Sequence, residues 1–363
     1  MQDNSVIHFI KPCRRFDEGP RQLTPAYARA QAAQGRVVQV NLDNCSLQRM
    51  ERLPEKPRLE DAEAVGLLPL VELLQNAPLA LTAIGLDEMP DRWVGGAINA
   101  YQRFCAAFWT GHQDDAEATQ RTFDPLSTAR TLQFDDLPEG SRLAYGGAYV
   151  ALLQMQRISH GFPAMADAKK FEAYLHSIIG SLNIVSAFEL EIAKYAFWTP
   201  AEPEVHRLPD RVRSRRRDIA ENFTKLQRSV EKCRSAALNG AIDLYWLSGA
   251  NLAEDIGLSL GLGAVRLPVD AWVGTNDVKL YRICEDIHSV SGYASTMMRL
   301  ATAREPEMSR FRYWSEVDRM SKDVMLYRAQ TQTDENQDRL GRIDAAAALL
   351  EGELRQLLAA GNR

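Results

Sequence analysis

A short apolar run, Ala271-Trp272-Val273-Gly274, halts on Thr275-Asn276-Asp277, and Leu280, Ile283, Cys284 and Ile287 then recur at helical spacing. This is a strand that passes into a helix with almost no loop between them. So direct a passage belongs to α/β folds, where strands and helices alternate and the sheet is largely parallel. In such sheets ligands collect beyond the C-terminal ends of the strands. An acidic residue at that position faces the crevice and offers hard oxygen to a cation such as Mg²⁺.

Two further segments share the form. Arg36–Asn44 is rich in β-branched residues, which predicts a strand ending at Asp43. Leu79–Gly85 predicts another, running through Leu86 and Asp87 to Glu88 and then into a helix over Trp93–Trp109. A helix over Pro25–Gln34 precedes the first of these, and a helix over 59–76 (Leu67, Leu68, Val71, Leu74) separates the two. The pattern then changes. Residues 112–141 are acidic and polar and predict loops with short helices, Leu143–Phe197 is mainly helical, and Pro200–Pro209 predicts a linker. A basic helix follows to Asn239. The stripe Leu238, Ile242, Tyr245, Trp246 favours helix over strand for 241–247. Residues 291–328 are helical in pattern. From Asp338 the residues Leu340, Ile343, Ala347, Leu350, Leu354 and Leu357 form a short heptad-like seam.

Net charge of −5 excludes coating of nucleic acid by bulk electrostatics but leaves room for a local basic groove. The five cysteines are scattered and form no C-x-x-C pair, which argues against a disulfide framework or structural zinc. No apolar run approaches membrane-spanning length and no signal-peptide pattern opens the chain, so the expectation is a reduced, cytoplasmic protein with no membrane association. The histidines show no H-x-x-x-H ligand pair. Gly257–Gly263 is glycine-rich without the Lys-Ser/Thr of a P-loop and reads as a turn or a tight helix contact.

Asp43, Glu88 and Asp277 thus follow three predicted strands, and Asp243 lies on the helix before the last one. Converging carboxylates repel one another unless a cation joins them. In this order the four acids, with Thr-Asn-Asp after the last strand, resemble the PIN-like nucleases. The resemblance covers 36–110 and 230–290 as core, with 111–229 as a mainly helical insertion and 291–363 as a C-terminal helical region. It implies a three-layer sandwich around a short parallel sheet, with Asp43, Glu88, Asp243 and Asp277 holding Mg²⁺ or Mn²⁺ for hydrolysis of RNA, in preference to DNA. Thr275 and Asn276 match its supporting polar residues. The chain departs from the family in its length, in the Leu-Asp-Asn-Cys-Ser form of the first motif and in the long stretch from Asp243 to Asp277.

Each feature also has a plainer explanation. Asp43 and Asp277 suit helix caps, Glu88 a helix N-terminus and Asp243 a solvated face. Arg207–Arg217 holds six arginines in eleven residues, among them Arg211, Arg213, Arg215, Arg216 and Arg217. They suit a phosphate backbone or a solvated helix face. Glu189 and Glu191 suit an exposed face better than a groove. The seam over 338–358 suits a homodimer or a helix packed on its own domain. The rival expectations are a non-catalytic scaffold with the acids as caps, or a phosphohydrolase acting on a small substrate. An inhibitor or partner protein fits either class.

Overall fold

The computed structural model describes residues 6–11, 22–109, 122–183, 187–255, 257–262, 265–286, 306–331 and 338–361. The chain is a mixed α/β protein and divides into two compact units. The first comprises 1–13, 18–132 and 246–285, and the second comprises 14–17, 133–245 and 286–363. Residues 133–229 of the predicted helical insertion and the C-terminal region, separate in sequence, therefore belong to one packing unit.

The first unit is built on β1 (His8–Ile10), β2 (Val37–Leu42), β3 (Ala80–Thr82) and β5 (Val265–Thr275), in the spatial order β1-β5-β2-β3. β5, β2 and β3 are parallel, with Val40 opposite Trp272 on one side and Leu81 on the other. β1 closes one edge antiparallel, with His8 opposite Thr275. Val38, Val40 and Leu42, which share one face of β2, are all buried, whereas Val37 and Gln39 on the opposite face are only partly so.

Two expectations for the last strand are corrected. It is an eleven-residue element rather than the short run 271–274. Its N-terminal half pairs antiparallel with β4 (Ser259–Leu262), which the glycine-rich segment forms in place of the expected turn. The sheet is accordingly mixed, not purely parallel.

Around these strands, α1 (Pro25–Ala33) starts where Thr24 Oγ1 accepts the Tyr27 N–H and Pro25 opens the first turn. α2 (Asn44–Glu51) follows β2 directly. The single helix expected over 59–76 is two, α3 (Leu59–Ala64) and α4 (Leu68–Asn76), parted at Gly66, whose φ of 78° ends the first. After β3 comes a 3₁₀ turn over Ile84–Glu88 and then α5 (Asp91–Phe108). Val94, Ala97, Tyr101, Phe104 and Phe108 make the buried face of α5. α12 (Val278–Asp286) succeeds β5; His288, expected on this helix, lies outside the described residues.

One charge points into this core. Asp270 on β5 is fully buried and accepts from Lys11 Nζ, from Tyr27 Oη at 2.8 Å and from Trp272 Nε1 at 3.2 Å. Three donors with a cation among them offset the desolvation that an unpaired buried carboxylate would suffer.

The second unit is helical. It contains α6 (Glu139–Gly161), α7 (Asp167–Leu182), α8 (Ala187–Phe197), α9 (Glu202–Val205), α10 (Asp210–Ile219), α13 (Pro306–Ser309), α14 (Arg312–Thr331) and α15 (Arg339–Gly361). α9 stands inside the segment expected to be a linker. The basic helix expected to run on to Asn239 stops in a π turn at Ala220–Thr224. α11 (Val230–Asp255) then begins afresh; from Trp246 onward its residues belong to the first unit.

The seam of α15 packs on α6. Ile343, Ala347, Leu350 and Leu354 are buried, and Gly146 admits the Ile343 side chain where a Cβ would overlap it. Polar ties flank the seam: Tyr149 Oη donates to Glu351 at 2.7 Å, Arg234 meets Glu351 at 3.0 Å, and Arg157 meets Glu353 at 2.7 Å. The apolar stripe is thus engaged within its own unit. Among the described residues no helix is long and apolar enough to cross a membrane.

Candidate functional site

The strand order creates one special place. The chain leaves β2 for β3 on one side and later returns as β5 on the other, so consecutive parallel strands diverge between β2 and β5. At such a switch point the loops beyond the strand ends part and leave a crevice. Asp43 and Asp277 flank it.

Asp43 follows the last residue of β2, where Leu42 stands opposite Gly274 and the Asp43 N–H donates to the Gly274 carbonyl at 3.1 Å. Its carboxylate accepts the Ser46 N–H at 2.9 Å and so caps α2. The Thr275 hydroxyl donates to it as well. Burial pushes the carboxyl up to about 6. The hydrogen bonds of Thr275 and Ser46 hold it back, and the nearby Asp277 carboxylate pushes it further up.

Asp277 is half-buried and caps α12, its Oδ1 accepting from the Lys279 N–H at 2.8 Å and the Leu280 N–H at 3.4 Å. Thr275 joins the two acids. Its hydroxyl accepts the Asp277 N–H at 2.9 Å while donating to Asp43. Asn276 is buried below them, with its Nδ2 on the Gly66 carbonyl at 3.4 Å.

Ser46, which the sequence did not single out, is fully buried and lies 3.1 Å from both the Gly274 carbonyl and Asn276 Oδ1. His8 belongs to this neighbourhood as well. It stands opposite Thr275, stacks on Tyr281 with ring centroids 4.4 Å apart, and has its pKa lowered by burial and by Arg282. Its signal was invisible because β1 reaches β5 from the other end of the chain.

Glu88 ends the 3₁₀ turn after β3, and its Oε1 accepts the Trp246 Nε1–H at 2.6 Å. The same turn comes close to Asp43: a Cβ on Gly85 would overlap the Asp43 carbonyl carbon and the Asn44 nitrogen, so only glycine fits. Asp243 lies on the part of α11 that belongs to the helical unit. Among the described residues no group of three His, Cys, Asp or Glu side chains is placed to hold a metal ion. The expected convergence of three or four carboxylates is thereby corrected to a pair, Asp43 with Asp277.

A pair still fits a hard divalent ion. Mg²⁺ is commonly held by one or two carboxylates, with water and phosphate completing its shell. A buried carboxyl raised by desolvation and by a like charge is one that a cation relieves.

The basic run is only partly turned to solvent. Arg215 is buried, with its guanidinium 5.7 Å from the Tyr195 ring centroid, and Arg216 lies 5.8 Å from that of Trp198. These rings belong to a cluster with Trp314 and Phe311, in which the Trp198–Trp314 centroids are 5.1 Å apart. Arg213 pairs with Asp210 and donates to the His206 carbonyl. Arg211 and Arg217 are exposed.

The acids of α8 are not on an exposed face. Glu191 is buried against Lys194, which also meets Asp318 at 2.9 Å. Burial pushes Glu189 up to about 7. Comparison with family models, with curated proteins and with solved structures found no match to this chain.

Proposed function

We propose that the protein is a divalent-metal-dependent phosphodiesterase that hydrolyses RNA, working from the Asp43–Asp277 pair. The observation that supports this most is the burial of Asp43 beside a second carboxylate at the switch point of the sheet. A helix cap needs neither burial nor a like-charged neighbour.

When bound, Mg²⁺ or Mn²⁺ supplies charge neutralisation for a phosphoryl group and activation of water for attack. The chain supplies the positioning. The Ser46 N–H and the Thr275 hydroxyl fix the Asp43 carboxylate, and the N–H groups of Lys279 and Leu280 fix that of Asp277. Each acid is held by donors from the first turn of a helix, so both keep their place as the charge between them changes. Glu88, held by Trp246, borders the same strand ends and orients substrate or water rather than sharing the ion.

That both acids cap helices favours a second assignment, a non-catalytic scaffold in which capping is their whole role. One variant separates the two. Asp277→Asn preserves the capping oxygen and removes the charge. It abolishes Mn²⁺-dependent cleavage of single-stranded RNA while circular dichroism and melting temperature stay near wild type. Undiminished cleavage, or no cleavage by the wild type at any Mn²⁺ concentration, removes the phosphodiesterase assignment.

A further inference from the structure

Beside the Asp43 strand end, a cleft of about 370 Å³ opens between α2 and the start of α5. It is lined by Asn44, Gln48, Glu51, Arg52, Met89 and Trp93. Its volume falls within the range of small-molecule sites. Two of its residues are joined by sequence to the candidate acids: Asn44 follows Asp43, and Met89 follows Glu88.

We propose that this cleft is a nucleotide subsite, in which Trp93 stacks a base of single-stranded RNA and Arg52 meets a phosphate; it rests on the phosphodiesterase proposal for its biological sense. Trp93 is 45% exposed although it is among the largest apolar side chains of the unit, and it forms a wall of a concave surface. Arg92 lies 5.4 Å from its ring centroid, which adds a cation to the stack. An exposed aromatic ring next to a guanidinium is the usual platform for an unpaired base, and stacking tolerates any base because each has a π face.

Arg52 is exposed, and among the described residues its guanidinium meets no carboxylate. It is therefore available for the bidentate phosphate pairing that arginine favours. Between them, Gln48 Nε2 donates to Asn44 Oδ1 at 2.9 Å, leaving further amide donors and acceptors for a base edge. Glu51, also on the cleft, has its carboxyl pushed up by burial and held back by Arg103. The ligand class that matches an aromatic face, two amides and a cation in this volume is a nucleoside monophosphate unit.

The test is calorimetric titration of the full chain with adenosine 5′-monophosphate in EDTA, where metal-dependent cleavage cannot contribute. Saturable binding is expected, weakened roughly tenfold or more by Trp93→Ala, as is usual for loss of one stacked base. Trp93→Phe keeps a ring and is expected to retain most of the affinity, which separates stacking from misfolding. Arg52→Ala is expected to weaken the monophosphate and leave adenosine unchanged. Ribose 5-phosphate is expected to bind far more weakly than the nucleotide.

No saturable binding, binding that both alanine variants leave unchanged, or ribose 5-phosphate binding as tightly as the nucleotide each overturns the subsite. Cleavage of RNA in Mn²⁺ is scored separately. Nucleotide binding through Trp93 without cleavage rejects the phosphodiesterase proposal and keeps the subsite; cleavage without that binding does the reverse.

Discussion

Replacing Asp43 by Asn keeps an acceptor for the Ser46 N–H at the start of α2 and removes only the charge. The folded carboxyl is raised to about 6 by burial, against an ordinary value near 3.8. Between those values the folded chain holds a proton that the unfolded chain has released. Wild-type stability therefore falls as pH rises through this window, and the full loss is present above the folded value. Each pKa unit corresponds to about 1.4 kcal/mol, so the ionised side chain costs about 3 kcal/mol at neutral pH.

The neutral amide of the Asp43→Asn variant carries no such cost. The stability of that variant relative to wild type should then increase by about 2.4 kcal/mol on going from about pH 4 to about pH 7.5. Any fixed offset from the altered hydrogen bond with Thr275 cancels in that difference. The assay is urea unfolding of both proteins in EDTA at a series of pH values. A difference that stays flat across the series refutes the claim that burial strains this carboxylate, and with it the main reason for placing a cation there.

Two other outcomes follow from the same unit. Asp270→Ala leaves Lys11 buried without its counter-charge and strands the Tyr27 hydroxyl, so unfolding free energy should drop by about 3–5 kcal/mol in denaturant titrations. Gly85→Ala sets a methyl against the Asp43–Asn44 backbone. It should cost about 1–3 kcal/mol by the same titration and reduce Mn²⁺-dependent cleavage as well, because the displaced segment carries Asp43.

The parts of the fold legible in sequence are those set by neighbouring residues. Val37–Leu42 is a β-branched run and Asp43 a natural cap, so strand, helix start and acid position all follow locally. The same holds for Thr275-Asn276-Asp277. What escaped depends on partners far along the chain. Ser259–Leu262 has little β propensity, and Pro268 suggests a break; they form a hairpin because β5 offers β4 a ladder, with Ser259 opposite Pro268. Arg215 reads as a phosphate ligand until α8 brings Tyr195 under it. Charge repulsion alone does not bring acids together either. Glu88 is drawn to the indole of Trp246, a contact with no counterpart in sequence spacing.

The central claim, that Asp43 and Asp277 share a divalent cation, is tested most directly by anomalous diffraction from crystals soaked in Mn²⁺. An anomalous peak within coordinating distance of both carboxylates is expected, lost in Asp277→Asn crystals. Saturating Mn²⁺ with no peak there, or a peak that Asp277→Asn leaves in place, contradicts it.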